Sequence, residues 1–242
     1  MSAWNVEWLE ETDSTNRELK RRPDAPHGSV VAARRQTDGR GRLGRSFCSP
    51  DGGLYLSVLL RPSAPPELLL HLTAMAAVAT RRAIAEVSGI SAGIKWVNDL
   101  VLDGKKLCGI LTEWCGTAAI IGIGINVNTA AFPDELLPSV TSLRLLTGRT
   151  LSVEALADAL ARQLVAMDAA LLTERETWLS EYAAHCVTVG KPVRLLQGGA
   201  EVGTAFAAGI DAQGGLLVRY DDGTTDVIRS GEVSVRGTDG YA

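Results

Sequence analysis

The sequence lacks the features that metal centres, secreted proteins and membrane proteins share. None of its four cysteines forms a CxxC pair and its three histidines stand apart, so the spacing of a structural zinc site is missing. Scattered thiols are typical of a reducing compartment. No apolar run approaches the roughly 20 residues that cross a bilayer, and the first residues have neither the basic nor the apolar region of a signal peptide. We therefore expect a cytoplasmic protein without membrane contacts.

A strong net charge is also missing. The formal charge of −4 excludes a surface that binds polyanions as a whole, so any anion site has to come from local clustering. The 242 residues, 46% of them hydrophobic, suffice to bury one large core, with or without a small second one.

Hydrophobic patterns predict the main elements. Helical spacing indicates one long helix that starts near Pro65–Pro66 and another that follows Ser152. Apolar, β-branched runs predict strands at 29–34, 52–60 and 118–128. After about Gly190 only short strands with Gly/Asp turns remain, which is the pattern of a small barrel. We expect two domains, at 1–188 and 189–242.

The segment QTDGRGRLGR (36–45), here called the Gly/Arg loop, combines arginine and glycine with a single acid, Asp38. Guanidinium groups bind phosphate or carboxylate oxygens in pairs, and glycine lets backbone N–H groups approach the same anion. No G-K-[ST] follows, so this is not a Walker A loop. Taken alone, the pattern fits an anion-binding loop, a solvated flexible loop or a nucleic-acid-binding segment.

The segment IKWVNDLVLDGKKLCGILTE (94–113) predicts a β-hairpin with Asp103–Gly104 at its turn. A two-residue turn puts Asn98 opposite Gly109. In that register one face carries the polar residues Lys95, Asp99 and Lys106, and the other carries the apolar residues Trp96, Leu100, Leu107 and Leu111. The polar face is either a ligand site or an ordinary solvated surface.

The strand segment GIGINVN (122–128) has two glycines and two asparagines. Gly122 and Gly124 leave no side chain to pack, which weakens a central strand unless something approaches its backbone. Asn126 can donate and accept hydrogen bonds, either to a ligand or to cap a turn.

The segment DSTN (13–16) lies where a strand ends and a helix begins. Asp13 or Ser14 can cap that helix. The hydroxyl and amide groups of Ser14, Thr15 and Asn16 also suit a neutral polar ligand such as a urea.

The motifs DSTN, QTxGRGRxGR, KWxND…KKLxGILxE and GIGINVN, in this order, resemble those of the biotin protein ligases, or biotin–[acetyl-CoA-carboxylase] ligases. The resemblance runs from about Glu11 to about Arg236, and the ordered set is far more specific than any one motif. It implies an α+β fold in which helices flank the mixed β-sheet of a catalytic domain. That domain is of the class II synthetase-like, biotin/lipoate ligase type, and a small C-terminal SH3-like β-barrel follows it.

The resemblance also implies a two-step reaction. Biotin reacts with ATP, accompanied by Mg²⁺, to give biotinyl-5′-AMP and pyrophosphate. One lysine of a biotin carboxyl carrier protein then takes the biotinyl group and AMP leaves. No covalent enzyme intermediate is expected, so no nucleophile triad is needed.

Site residues follow from the matched motifs. Biotin binding is implied for Ser14, Thr15, Asn16, Gln36, Arg40, Gly41, Arg42 and Lys106. Binding of ATP or the adenylate is implied for Arg42, Arg45, Phe47, Asn98, Asp99 and Asn126. Lys106 and Arg42 are the implied catalytic residues, Asp99 would meet Mg²⁺ that arrives with ATP, and Lys95 would add electrostatic support.

The chain departs from the family pattern at three places. Valine stands at 97 where the family usually has proline, and Phe47 stands near the position of a usual tryptophan, so the indole N–H is lost. Only twelve residues precede Asp13, too few for the helix-turn-helix domain of some family members. We expect a short form without operator binding, as a monomer or homodimer.

Two other functions compete with this interpretation. A lipoate–protein ligase shares fold and chemistry, but the Gly/Arg loop and the terminal barrel argue against it. A nucleic-acid-binding module would use the same loop, but aromatic residues are not interleaved with the arginines and the overall charge is acidic.

Overall fold

The structure, a computed structural model, describes residues 4–62, 69–229 and 234–237. The predicted helix start at Pro65–Pro66 and the first residues of the last predicted strand, 232–233, lie outside the described residues. Within the described part, no helix is long and apolar enough to cross a membrane.

A seven-stranded mixed sheet forms the centre of the larger part of the chain. Its strands are β1 (Val6–Thr12), β2 (Ser29–Gln36), β3 (Leu54–Leu60), β4 (Gly93–Lys95), β5 (Asp99–Leu102), β6 (Lys105–Cys115) and β7 (Ala118–Ile125). They are arranged in the order β1-β2-β3-β7-β6-β5-β4. Only the pairing of β1 with β2 is parallel, and the other described neighbours run antiparallel.

Five helices accompany this sheet among the described residues. They are α1 (Thr15–Lys20), α2 (Leu69–Ser88), α3 (Leu143–Thr147), α4 (Val153–Ala170) and α5 (Arg175–Ala184). The predicted helix after Ser152 is confirmed, and the Ser152 hydroxyl accepts the Ala155 N–H as its cap. Sequence patterns did not indicate the shorter helices α3 and α5.

Successive residues of each strand point to opposite faces of the sheet, and the two faces pack against different helices. Residues such as Val30, Val58 and Ile121 belong to the main core with α2 and α4. Their alternates, such as Leu59 and Ile120, pack under Leu19 of α1 on the opposite face. Burying a leucine such as Leu19 contributes about 2 kcal/mol, which anchors the short α1. Beyond the helix, this face of the sheet borders a cavity.

The remaining strands form a separate five-stranded antiparallel sheet. They are β8 (Pro192–Gln197), β9 (Ala200–Ile210), β10 (Leu216–Arg219), β11 (Thr225–Ile228) and β12 (Ser234–Gly237), in the order β11-β10-β9-β8-β12. The expected α+β fold with an SH3-like C-terminal part is confirmed. The two parts touch, since the Trp96 indole donates to the Gly214 carbonyl at 3.0 Å. The boundary between 188 and 189 stays a prediction.

Candidate functional site

A cavity of about 330 Å³ opens on the α1 face of the large sheet. Every residue that the sequence motifs nominate lines it, although they come from distant segments. They are Ser14, Thr15, Asn16, Gln36, Arg40, Gly41, Arg42, Arg45, Phe47, Lys95, Asn98, Asp99, Lys106 and Asn126. The fold therefore brings the four motifs to one place. The ligand each residue would bind stays a prediction.

Glycines from β6 and β7 form the cavity floor. Gly109 pairs with Gly124, and Leu111 pairs with Gly122. A Cβ at Gly122 would overlap the Asn16 amide, and one at Gly124 would overlap the Phe47 ring. The Asn16 and Phe47 side chains are thus the groups that approach the strand at its glycines, as expected. Because Gly122 and Gly124 carry no side chains, the floor does not fill the cavity.

The hairpin register differs from the expected one. Leu102 pairs with Lys105 as predicted, but the pairing shifts between Leu100 and Val101. This irregularity moves Asp99, not Asn98, opposite Gly109, because one extra residue enters β6 there. Asn98 lies in the preceding turn, where its Nδ2 donates to the Ile110 carbonyl at 2.7 Å.

The same irregularity revises the predicted faces of the hairpin. Lys95, Asp99 and Lys106 do share the cavity side, as expected. Of the predicted apolar face, Trp96, Leu100 and Leu107 are buried in the core, although Trp96 also lines the cavity, whereas Leu111 is only half-buried and lies on the cavity side. An extra residue inverts the alternation of side chains beyond it, so period-2 counting fails past the bulge.

One end of the cavity, here called the neutral end, is formed by Ser14, Thr15, Asn16 and Gln36. Hydrogen bonds within the protein hold the side chains of Thr15, Asn16 and Gln36. Ser57 Oγ lies 2.7 Å from Thr15 Oγ1 and 2.6 Å from Asn16 Oδ1. Gln36 Nε2 donates to Ser49 Oγ at 2.9 Å. Ser14, Thr15 and Asn16 are only 3–4% exposed, so this end is fixed before any ligand arrives.

The start of α1 is capped in an unexpected way. Ser14 occupies the N-cap position, but its side chain makes no capping hydrogen bond. The Asp13 carboxylate accepts the Ser14 N–H, and the amide oxygen of Gln36 accepts the Thr15 N–H at 2.9 Å. A side chain from the end of β2 thus accepts one N–H group of the first turn, and the Ser14 hydroxyl has no capping role.

The other end, here called the cationic end, collects basic side chains from the Gly/Arg loop and the hairpin: Arg40, Arg42, Arg45, Lys95 and Lys106. Asp99 is the single acidic side chain among the described lining residues. Its Oδ1 lies 2.7 Å from Lys106 Nζ, and this Nζ also lies 5.4 Å from the centre of the Phe47 ring. The excess of positive charge favours anionic ligands.

Arg42 is the most enclosed arginine of the loop. Burial lowers the pKa of its guanidinium, and the nearby Asp99 carboxylate partly offsets this effect. Its Nη1 reaches Asn98 Oδ1 at only 3.4 Å. A guanidinium stays charged at neutral pH, so the burial penalty would be relieved by an anion that enters the cavity.

The Gly/Arg loop folds back on itself. The Gly41 N–H donates to the Arg45 carbonyl at 2.7 Å, and the Phe47 N–H donates to the Gly39 carbonyl at 2.8 Å. A single 3₁₀ turn, Arg42–Gly44, lies between them, with exposed Leu43 at a φ of 57°. Two nearby arginines on β2 do not join the cavity lining: Arg34 pairs with Glu154 and Arg35 with Glu11.

Asn126 lines the cavity but also has a structural role. Its Nδ2 donates to the Thr141 carbonyl at 2.9 Å, which ties the end of β7 to the following loop. The amide nitrogen therefore has the structural role, and contact of Asn126 with a ligand stays a prediction.

The cavity offers few ligands for Mg²⁺. The described residues contain no group of three or more His, Cys, Asp or Glu side chains that could hold a metal ion. Asp99 supplies one carboxylate, which fits the habit of Mg²⁺ to bind through one or two carboxylates, water and substrate phosphates. A resident all-protein metal site does not fit this cavity lining.

Sequence reasoning missed several lining residues. They are Tyr55, Trp96, Phe132, Leu136, Ser139, Val140 and, from the C-terminal sheet, Val235. Alternation along β3 could have flagged Tyr55, which shares the cavity side with Ser57. Nothing in the sequence signals that the loop after β7 folds over the cavity.

Comparisons with known proteins agree with this geometry. The model of the biotin/lipoate A/B protein ligase family matches residues 8–128, and that of the biotin protein ligase C-terminal domain matches residues 188–236. A biotin protein ligase from Aquifex aeolicus, solved in complex with biotin and ATP, superimposes with a TM-score of 0.88 at 32% identity. This match covers 97% of this chain and 99% of that one.

Curated relatives differ in how much of their own length this chain matches. The biotin–[acetyl-CoA-carboxylase] ligase of Paracoccus denitrificans is 35% identical over 95% of this chain and 100% of its own length. The bifunctional ligase/repressor BirA of Bacillus subtilis is 45% identical over 58% of this chain. That match covers 45% of the relative, so the chain aligns with less than half of the longer protein.

Proposed function

Because the chain belongs to the biotin/lipoate A/B protein ligase family, we propose that it is a biotin protein ligase that attaches biotin to a carrier protein at the expense of ATP. The observation that carries the proposal is the single cavity in which all nominated residues meet, with a neutral end and a cationic end. Biotin has the matching division, a neutral cyclic urea at one end and a carboxylate at the other.

In the first half-reaction a carboxylate oxygen of biotin attacks the α-phosphorus of ATP. A C(O)–O–P bond forms, the bond to the β-phosphate breaks, and pyrophosphate leaves. Two anions have to meet, and like charges about 4 Å apart near a protein surface repel by about 4 kcal/mol. Arg40, Arg42 and Lys106 offset this repulsion and stabilise the charge that develops on the phosphoryl oxygens. Phe47, Asn98 and Asn126 surround the nucleotide.

In the second half-reaction the amine of an acceptor lysine attacks the carbonyl carbon of the adenylate. An amide C–N bond forms and AMP leaves. Lys106 contacts the carbonyl oxygen in both steps. The Gly/Arg loop covers the mixed anhydride and excludes water, which would otherwise hydrolyse it.

Mg²⁺ fits this scheme as a companion of ATP. Asp99 would supply one oxygen ligand, and the ion would neutralise part of the phosphate charge.

Exchange of labelled pyrophosphate into ATP tests the first half-reaction. We expect exchange that depends on biotin and is not supported by lipoate. Incorporation of labelled biotin into a biotin carboxyl carrier domain, lost when its acceptor lysine becomes arginine, tests the second. Exchange with lipoate alone would favour a lipoate–protein ligase instead, and no exchange with either acid would overturn the proposal.

Three accompanying expectations stay predictions. They are the absence of operator binding, a monomeric or homodimeric state, and a cytoplasmic location. A gel-shift assay, sedimentation and cell fractionation would test them in turn.

A further inference from the structure

Glu113 stands beside the neutral end but was not among the nominated site residues. It lies on β6, and its Oε2 accepts a hydrogen bond from Asn16 Nδ2 at 2.8 Å. Its other oxygen is paired with Lys20 of α1 at 2.6 Å. The carboxylate therefore links the second and the last residue of α1 to β6.

These contacts determine how the Asn16 amide is oriented. A carboxylate only accepts hydrogen bonds, and so does the Leu111 carbonyl, 3.4 Å from the same Nδ2. The amide NH₂ group therefore has to point toward Glu113. On the other side Ser57, fully buried, reaches Asn16 Oδ1 at 2.6 Å and can donate its proton to it.

The amide oxygen is consequently the group that remains for a ligand. It lies over Gly122, where any Cβ would overlap it, and both residues line the cavity. An amide oxygen has two acceptor sites, and Ser57 uses one of them. A ligand at this position is offered an acceptor and no donor.

We propose that Glu113 is a positioning residue that holds the Asn16 carbonyl oxygen toward the ligand, so that the neutral end selects a ring with N–H donors. This inference rests on the proposed function. The cyclic urea of biotin carries two N–H groups, whereas the dithiolane of lipoate carries none and would leave the buried oxygen without a new partner. Sites built around hydrogen bonds reject analogues that lack the matching group.

The variant E113Q tests this inference directly. A glutamine amide can donate as well as accept, so it permits the Asn16 amide to turn over and present its NH₂ group. We expect calorimetry to show that the affinity for biotin falls roughly 10- to 100-fold, while the affinity for ATP stays unchanged. We also expect the ratio of the affinity for biotin to the affinity for lipoate to fall in E113Q. E7Q is the matched control, because Glu7 pairs with Arg22 and does not line the cavity.

A double-mutant cycle separates positioning from a general structural effect. If Glu113 acts through Asn16, E113Q adds no further loss of biotin affinity in the N16A background. Should E113Q fail to fold, E113D withdraws the carboxylate from the amide while it keeps the charge, and the same loss for biotin alone is expected.

The outcomes that overturn the inference are distinct from those that overturn the proposed function. If the unaltered chain binds biotin and E113Q binds it equally well, or if the two losses simply add, the inference is wrong and the function stands. If the unaltered chain binds no biotin, the proposed function fails and the inference falls with it.

Discussion

The neutral end of the cavity and the arginines of its cationic end differ in how closely the protein holds their side chains. At the neutral end Thr15, Asn16 and Gln36 have partners within the protein at 2.6–2.9 Å, and Thr15 and Asn16 are buried. At the cationic end the Arg40 side chain is 50% exposed, and Arg42 reaches its neutral partner only at 3.4 Å. Recognition by hydrogen bonds depends on fixed directions, whereas attraction between charges tolerates movement.

Because of this difference, two such different segments can serve the proposed reaction. A neutral ring must be recognised by its donor and acceptor pattern, so the groups that contact it are held by α1, β2 and β3. In the proposed reaction two acids must enter and pyrophosphate and AMP must leave, so the cations that gather the acids lie on a loop and a hairpin. Substitutions at each end separate their contributions, and the largest effect is expected at the cationic end.

The first prediction removes the central charge of the cationic end. We expect Lys106→Ala to slow both half-reactions roughly 100- to 1,000-fold, because the amine that stabilises the developing charge is lost. Single-turnover formation of the adenylate measures one step, and transfer from supplied biotinyl-5′-AMP measures the other. Lys105→Ala is the control, since Lys105 lies next to the hairpin turn and donates to the Leu137 carbonyl. If Lys106→Ala forms and transfers the adenylate as fast as Lys105→Ala does, Lys106 has no catalytic role.

The second prediction concerns the enclosed arginine. We expect Arg42→Ala to slow adenylate formation roughly 100-fold, because the two anions then meet with less compensation. Arg35→Ala is the matched control, since Arg35 pairs with Glu11 and does not line the cavity. If both arginine variants form the adenylate at the rate of the unaltered chain, charge at position 42 is not required.

The third prediction changes the neutral end through the floor. In Gly122→Ala the new methyl group overlaps the Asn16 amide, so that side chain has to move. We expect the affinity for biotin, measured by calorimetry, to fall roughly 10-fold or more, with little change for ATP. The control is Gly203→Ala on β9, where a Cβ meets nothing within 4 Å. If the affinities for biotin and for ATP fall by the same factor, the two ends of the cavity are not independent.

Much of this arrangement can be read from the sequence. Side-chain periodicity places the strands and the helix after Ser152, and the ordered motifs nominate residues that all line one cavity. The glycines of β7 are informative because a buried strand rarely omits side chains without a reason. These features can be predicted because each depends on residues that are close together in the sequence.

Other features depend on contacts between distant segments. The bulge opposite Leu100 has no local signal in a run of apolar residues, so the hairpin register was off by one residue. Gln36 caps α1 from 21 positions away, which no helix-start pattern contains. The role of Glu113 was equally hidden, because it follows from the orientation of an amide on another element.

The smallest effect is expected at Asp13, which supports the neutral end from outside the cavity. Asp13 precedes Ser14 and pairs with Arg21 and Arg17. The hydrogen bond from Arg21 lowers the pKa of the Asp13 carboxyl to about 2, from an ordinary value of 3.8. Because the folded pKa is depressed, this contribution to stability is present above about pH 4 and is lost as the pH falls toward 2.

We therefore expect Asp13→Asn to lower the free energy of unfolding by about 1 kcal/mol or less at pH 7, since its partners are largely exposed to solvent. The difference from the unaltered chain should vanish near pH 2. Denaturant titrations at several pH values measure it, with Asp134→Asn, an exposed carboxylate in the loop after β7, as the control. A difference that is the same at every pH would mean that Asp13 stabilises the start of α1 by packing and not by its charge.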